Sequence, residues 1–327
     1  MDGTQNKWYF GKDPVTKFLK NNYGTLIGFV VLCLVLTFTT DNKFLTGSNI
    51  MSVLRQICIN ALIAFGMTFV LIVGGIDLTV GSVVGASGVA VVMLIQGGMP
   101  MWAAIVMGLL LGVVIGLVNG LIITLVKMPP FIVTLSMQGV IRGLAYYITD
   151  GRSVACNDTV FTSMGNGYLW RIPLPIYIVA VIMILLMILL YRTRFGRRMY
   201  AVGGNLSAAR FTGIKTNFIT VQVYVISALM ASVAGIILAS RMYSGQPTAG
   251  QNYESDAIAA AVLGGTSFNG GIGTMGGTLI GALVIGVLSN GLNLLHISSY
   301  IQMVIKGIVI ILAVAFDLLK NGKRSAQ

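Results

Sequence analysis

The chain has 327 residues, of which 56% are hydrophobic and only 9% are charged. Soluble domains carry about 25% charged residues, so this composition excludes a soluble globular protein and predicts an all-α, polytopic membrane protein. The formal net charge of +12 is compatible with nucleic-acid binding in principle. Basic residues between apolar segments are instead typical of cytoplasmic loops, and we expect no nucleic-acid partner.

Ten apolar segments recur along the chain and are predicted to form one transmembrane domain over residues 1–327. A helix of about 20 apolar residues spans a bilayer. The eighth segment is too short for this, so at least one helix is predicted to be broken or re-entrant. The predicted segments cover residues 25–40, 50–73, 79–96, 102–126, 131–148, 174–191, 218–240, 255–264, 274–295 and 300–319.

The distribution of Lys and Arg predicts the orientation in the membrane. With a cytoplasmic N-terminus, fourteen of the 21 basic residues fall in cytoplasmic segments and only four on the opposite side. Cytoplasmic loops are generally the more basic ones, so both termini are predicted to be cytoplasmic. The predicted cytoplasmic parts include an N-terminal segment 1–24, a long loop 192–217 and a tail 318–327.

The stretch IVGGIDLTVGS, residues 72–82, separates the second and third segments. Gly74 and Gly75 are expected to end the second helix, and backbone groups freed there must face protein or water. Asp77 has two compatible interpretations: it caps the third helix, or it lines a solute path. Amides within the segments are more typical of helix–helix contacts, yet some of them are also path candidates. The path candidates are Gly74, Gly75, Asp77, Thr79, Asn60, Asn290 and Asn293.

A second glycine-rich stretch, GGTSFNGGIGTMGG, follows the eighth segment. Its alignment with the first pairs Gly75 with Gly265 and Gly81 with Gly271. Internal repeats are common in transporters, but glycine-rich membrane sequence also matches by chance, so both explanations stay open.

The loop 192–217 contains a predicted short helix that Asn205 caps and Gly213 ends. Its six cations and lack of acids fit a cytoplasmic loop near lipid headgroups. The ordered pattern of glycines and alanines is more specific than such a loop requires, and it favours a docking site for a cytoplasmic partner. The docking candidates are Gly203, Gly204, Asn205, Ser207, Ala208, Ala209, Gly213 and Ile214.

Two acids, Glu254 and Asp256, open the short eighth segment on the side opposite the basic loops. Acids at a helix N-terminus are favourable because of the helix dipole alone. The alternative is that they line the outer mouth of a path or meet an external partner.

Motifs for catalysis are missing from the sequence. No Gly-rich loop ends in Gly-Lys-Ser/Thr, so ATP hydrolysis by that route is not expected. The three isolated cysteines and single histidine give no metal-binding spacing, so no metal site is predicted. We therefore expect no enzymatic activity in this chain.

Four blocks together resemble the permease subunit of bacterial simple-sugar ABC importers, the ribose, xylose, arabinose and galactose type. They read GMTFVLIVGGIDLTVGSVVG, RTRFGRRMYAVGGNLSAARFTGI, QPTAGQNYESDAIAAAVLGGTSFNGGIGT and SNGLNLLHISSYIQMVIKGIVIILAV. They occur in the family's order, and the resemblance extends over roughly residues 25–317.

This resemblance implies a ribose-like pentose or a hexose as substrate and a location in the bacterial inner membrane. It also implies a homodimeric pore, a separate cytoplasmic ATPase that binds ATP and Mg²⁺, and a periplasmic or lipid-anchored sugar-binding protein. The docking loop is similar to the broader pattern Glu-Ala-Ala-x-x-x-Gly, but Ser207 stands in place of the acid. A salt bridge made by that acid therefore does not carry over.

Two other functional classes are also compatible with the sequence. An ion-coupled secondary transporter is expected to hold acids in mid-helix, whereas the acids here lie at helix starts or in loops. A passive channel or a membrane scaffold is the other alternative, and it predicts no ATPase partner.

Overall fold

The structure of the protein is a computed structural model that describes residues 14–325. The predicted segment 1–24 and tail 318–327 lie partly outside these residues, and their described parts belong to the first and last helices. The helices are α1 (Pro14–Thr39), α2 (Gly47–Ile72), α3 (Val80–Gln96), α4 (Met101–Leu121), α5 (Pro130–Thr149), α6 (Thr159–Asn166), α7 (Leu174–Arg192), α8 (Arg194–Gly204), α9 (Leu206–Phe211), α10 (Thr216–Arg241), α11 (Tyr253–Leu263), α12 (Met275–Leu294) and α13 (Ser299–Ser325), with a 3₁₀ turn at Lys43–Leu45 and a π-helical turn at Ile122–Val126.

Within the described residues, the strands are four two-residue pieces that form two antiparallel pairs. β1 (Val154–Ala155) pairs with β4 (Ser244–Gly245), which joins the loops after α5 and after α10. β2 (Tyr168–Leu169) pairs with β3 (Ile172–Pro173) just before α7. The all-α prediction is therefore confirmed for the body of the chain.

Each of the ten predicted segments coincides with a helix. Six helices in the described chain are long and apolar enough to cross a membrane: α2, α4 with its π-helical turn, α5, α7, α10 and α12. The other four predicted segments correspond to α1, α3, α11 and α13, whose apolar parts are shorter. Ten crossings and cytoplasmic termini therefore stay predictions.

Helices α2 and α10 form the centre of the bundle. α10 packs against α2, α3 and α4, and α2 also packs against α11 and α12. Every residue of α2 from Ile57 to Ile72 is buried. A helix that is apolar on all sides is expected in such an enclosed position.

Glycines bring α4 close to α10. Gly112, Gly116 and Gly120 recur every four residues on one face of α4. A Cβ added at Gly116 would lie 2.7 Å from the Cα atom of Val225, and one at Gly120 would lie 2.7 Å from the Cα atom of Val221. Small residues at such positions let membrane helices approach backbone to backbone.

Candidate functional site

The second helix ends at the glycine pair, as expected from the sequence. Gly74 has a φ of +77°, which glycine adopts without strain. Its amide donates to the carbonyl of Leu71 (2.9 Å), and the amide of Gly75 donates to the carbonyl of Val70 (3.0 Å). These bonds form a Schellman motif. Residues 73–79, called the first break here, follow before α3.

Asp77 lies in the first break and is fully buried. Its Oδ1 atom accepts hydrogen bonds from the amide (3.0 Å) and the hydroxyl (2.5 Å) of Thr79. Its Oδ2 atom accepts one from the Ser227 hydroxyl (2.8 Å) on α10. Thr79 is the N-cap residue of α3. Asp77 therefore acts two residues before the cap, in an Asx turn that fixes the entry into the helix.

Side chains from three helices hold the first break in place. Asn119 on α4 donates to the Thr79 hydroxyl (3.1 Å). The carbonyl of Ile76 accepts from the Tyr224 hydroxyl of α10 (3.2 Å) and the Thr134 hydroxyl of α5 (3.3 Å). Irregular backbone at membrane depth requires such internal partners. The polar groups around Asp77 therefore serve the fold of one protomer.

A second break, residues 264–274, separates α11 from α12. Gly265 has a φ of +83° and donates to Val262 (2.8 Å), while Thr266 donates to Ala261 (3.0 Å). This is the same Schellman motif, so Gly265 corresponds in structure to Gly74. The sequence alignment with Gly75 is thus displaced by one residue, and what the two breaks share is this helix-ending motif.

The irregular segment 246–252 leads into α11 and is held by a half-buried arginine. Arg142 of α5 donates to the carbonyls of Pro247 (2.5 Å), Ala249 (2.6 Å) and Gly81 (2.8 Å). Hydrogen bonds of a charged donor are about twice as strong as neutral ones. None of the predictions from the sequence includes Arg142, although a cation inside an apolar segment is a signal in itself.

The predicted docking helix is α9, with the expected caps. The Asn205 side chain accepts from the amide of Ala208 (2.9 Å). Gly213 has a φ of +80°, and the amide of Ile214 donates to the carbonyl of Ala209 (3.1 Å). Ser207 and Ala208 are exposed, whereas Ala209 is buried, so the two alanines do not form one outward surface.

Phe211, at the end of α9, is 93% exposed. This residue is not among the predicted docking candidates. An aromatic side chain inside a polar, basic loop is the signal that marks it, because exposed aromatics are typical of binding surfaces.

The end of α8 lies directly on both breaks. The amide of Gly271 in the second break donates to the carbonyl of Ile72 (2.8 Å) at the end of α2. A Cβ added at Gly203 would lie 1.7 Å from that carbonyl oxygen and 2.7 Å from the Gly271 amide nitrogen. The loop 192–217 that contains α8 and α9, called the docking segment here, therefore meets the two breaks backbone to backbone. There is no room for a side chain at Gly203.

A cavity of about 870 Å³, called the junction cavity here, opens beside this contact. Gly74, Gly75 and Tyr224 form part of its wall, and residues 127–130 between α4 and α5 form another part. The docking segment contributes Val202, Leu206, Arg210 and residues 214–217. Among the predicted path residues, only the glycine pair lines it.

The two predicted mouth acids are buried. Asp256 forms an ion pair with Lys306 of α13 (2.7 Å). Glu254 accepts from the Gln138 amide of α5 (3.3 Å) through one oxygen, and its other oxygen has no hydrogen-bond partner among the described residues. Both acids thus join α11 to neighbouring helices.

The predicted path amides lie apart from the first break. Asn60 is buried within α2. Asn290 exchanges two hydrogen bonds with Asn49, at 3.1 and 2.9 Å. Asn293 is exposed and accepts from Gln302 (2.9 Å). Asn290 and Asn293 therefore bond other protein groups, as expected for amides at contacts between helices.

Helices α5 and α7 are equally exposed but differ in composition. In each, only 22% of the most apolar stretch is buried. α7 is the most apolar of the six long helices and α5 the least. The exposed side of α5 includes Ser136, Gly139 and Gly143, and no atom lies within 4 Å of a Cβ added at either glycine. Other exposed residues of α5, among them Leu135 and Leu144, are large and apolar like those of α7, so the exposed glycines are what sets this surface apart.

Comparison with known proteins identifies the family. A family model described as the permease component of branched-chain amino acid transport systems matches residues 49–314. No solved structure matches the chain. The resemblance to a permease family, predicted from the four sequence blocks, is confirmed.

Curated relatives match almost end to end. The ribose import permease protein of Bacillus subtilis (strain 168) is 47% identical over 300 residues, which cover 91% of this chain and 93% of the relative. The ribose import permease protein of Escherichia coli (strain K12) is 42% identical, with 94% and 97% covered. The L-arabinose transport system permease protein of the same strain is 39% identical, with 92% of both covered. The chain therefore belongs to this family of transport-system permeases.

Proposed function

We propose that the chain is the membrane-spanning subunit of a bacterial ATP-binding-cassette importer for a simple sugar, either a ribose-like pentose or a hexose. The observation that carries the proposal is the 47% identity to a ribose import permease over 91% of the chain. Relatives named for L-arabinose and D-allose support a sugar over an amino acid. The protein acts as a multi-pass subunit of the inner membrane.

The path is proposed to run between two copies along the exposed side of α5. Gly139 and Gly143 leave open space on that side, and small residues four apart are typical of contacts between membrane helices. The buried residues Asp77, Thr79, Asn60 and Asn290 then act behind the path. Gly74 and Gly75, in the wall of the junction cavity, lie at its proposed cytoplasmic end.

A separate ATPase is proposed to dock on α9 and to hold ATP and Mg²⁺. Ser207, Ala208 and Phe211 form the exposed contact surface. The contact of Gly203 with the two breaks offers a route by which motion of α9 reaches α2 and α12. A sugar-binding protein is proposed to deliver substrate on the opposite side, where Glu254 and Asp256 support α11 from within.

Transport by the reconstituted complex tests this function. Proteoliposomes that contain the permease, its ATPase and its binding protein are expected to accumulate radiolabelled ribose, arabinose or allose only with internal ATP. Dissipating ion gradients with ionophores is expected to leave uptake unchanged. Uptake that follows an ion gradient without ATP would instead support a secondary transporter.

A further inference from the structure

The junction cavity carries positive charge that the proposed transport of a neutral sugar does not use. Lys127, Arg210 and Lys215 line it, and none of the described lining residues is acidic. The only ion pair in the described part of the chain, between Lys306 and Asp256, lies elsewhere. Three cations therefore surround one cavity without a carboxylate to balance them.

The start of α10 adds to this positive potential. The helix is 26 residues long, begins at Thr216, and has no side-chain cap at its N-cap residue, Lys215. Its first-turn residues Thr216 and Asn217 line the cavity. The N-terminus of a long helix favours anions through its free amides and its dipole, and phosphate groups bind there readily.

Arg210 is positioned toward the same helix start. Its Nε atom donates to the Thr216 hydroxyl (3.2 Å), which fixes the plane of the guanidinium group. A planar guanidinium can bind phosphate oxygens through two nitrogens at once. Arg210, the start of α10 and the two lysines thus form a set of donors suited to phosphate.

The residues around the cavity indicate which kind of molecule would supply a phosphate group to these donors. Leu125 and Val126, just before Lys127, are 70% and 63% exposed, as expected for lipid-facing residues. Apolar Ile123 and Met128 line the cavity beside the cations. Such a combination of apolar wall and cationic donors at the end of membrane helices matches a lipid headgroup with its attached chains.

We propose that the junction cavity binds the phosphate headgroup of an anionic membrane lipid through Lys127, Arg210 and Lys215. The bound lipid joins the ends of α4 and α5 to the docking segment. The site does not depend on which sugar is carried, and a lipid there lies beside the proposed cytoplasmic end of the sugar path, where Gly74 and Gly75 form part of the wall.

Native mass spectrometry of the purified permease tests the proposal. Phosphatidylglycerol or phosphatidylcholine is added in detergent, and the lipid-bound fraction is measured. We expect retention of phosphatidylglycerol over phosphatidylcholine, and a loss of about tenfold or more in Lys127→Gln/Lys215→Gln, since each surface cation contributes to anionic-lipid binding. The control Arg197→Gln/Arg198→Gln removes the same charge from exposed positions outside the cavity and is expected to retain the lipid.

Several outcomes would overturn the proposal. Equal loss in both double variants would assign binding to general surface charge, and equal retention of the two lipids would remove the role of charge. Displacement by millimolar inorganic phosphate would indicate a soluble anion, and displacement by the added ATPase would assign the cations to the protein partner. If the double variant cannot be purified, Lys215→Gln alone carries the test, because this residue is exposed.

Discussion

Asp77 illustrates how a buried carboxylate in a membrane protein can serve the fold. Its three hydrogen bonds join Thr79 at the start of α3 to Ser227 of α10. A buried charge without such partners is strongly destabilising. A carboxylate at this position therefore provides acceptors for three nearby donors, two on Thr79 and one on Ser227.

Replacement of Asp77 separates its hydrogen-bonding role from its charge. Asp77→Ala leaves the Thr79 and Ser227 donors without their acceptor, so we expect a loss of about 1–3 kcal/mol in unfolding free energy. Asp77→Asn keeps an acceptor for the Thr79 amide and is expected to retain assembly and uptake. Thermal unfolding in detergent and uptake in proteoliposomes provide the measurements. Normal assembly of the Asn variant without uptake would show that the charge itself is required.

Gly203 gives a second test at the residue scale, with its neighbour as a matched control. A Cβ at Gly203 would overlap the carbonyl oxygen of Ile72, whereas one at Gly204 meets nothing within 4 Å. We expect Gly203→Ala to lower the thermal unfolding midpoint by several degrees, as for overpacking of about 1–3 kcal/mol, and to reduce coupled uptake. Gly204→Ala is expected to behave as wild type. Equal behaviour of the two variants would contradict the close contact between the docking segment and the breaks.

At the scale of elements, the positions and caps of the helices could be predicted from the sequence. Which side of each helix packs against the bundle could not. Apolar runs located all ten segments, and the caps at Asn205 and Gly213 depend on neighbouring residues only. Which side of α9 faces outward depends on how the helix lies on the bundle, so the burial of Ala209 and the exposure of Phe211 could not be predicted. The position of segment 246–252 likewise depends on Arg142, which is more than 100 residues away in sequence.

The exposed end of α9 predicts a specific effect on ATPase binding. Phe211→Ala removes the most exposed aromatic side chain of the docking segment, and aromatic anchors often contribute 2 kcal/mol or more to an interface. We expect at least about tenfold weaker binding of the ATPase by surface plasmon resonance, with unchanged unfolding of the permease. Phe38→Ala, at an 80% exposed position in α1, is the control and is expected to bind normally. Unchanged affinity of the Phe211 variant would place the docking surface elsewhere.

At the scale of the whole molecule, exposure and composition must be considered together. The low charge of the chain predicted a membrane protein, but it could not tell lipid-facing helices from those that face a partner or a path. A difference appears when α5 and α7 are compared: they are equally exposed, but only α5 carries exposed glycines, at Gly139 and Gly143, with open space beside them. The spacing of Gly139 and Gly143 was readable in the sequence, yet such spacing also occurs inside this protomer, along α4.

The α5 surface therefore predicts the dimer contact. Gly139→Leu/Gly143→Leu adds bulk where the protomer leaves open space, so folding of one copy is expected to be preserved. If a second copy packs there, the added side chains separate the two backbones, and we expect at least about a tenfold loss of dimer, since such contacts depend on close approach. Gly28→Leu, at an equally open position of α1, is the control and is expected to remain dimeric. Native mass spectrometry counts the copies. A dimer that persists in the α5 variant would move the interface, and with it the proposed sugar path, to another side of the bundle.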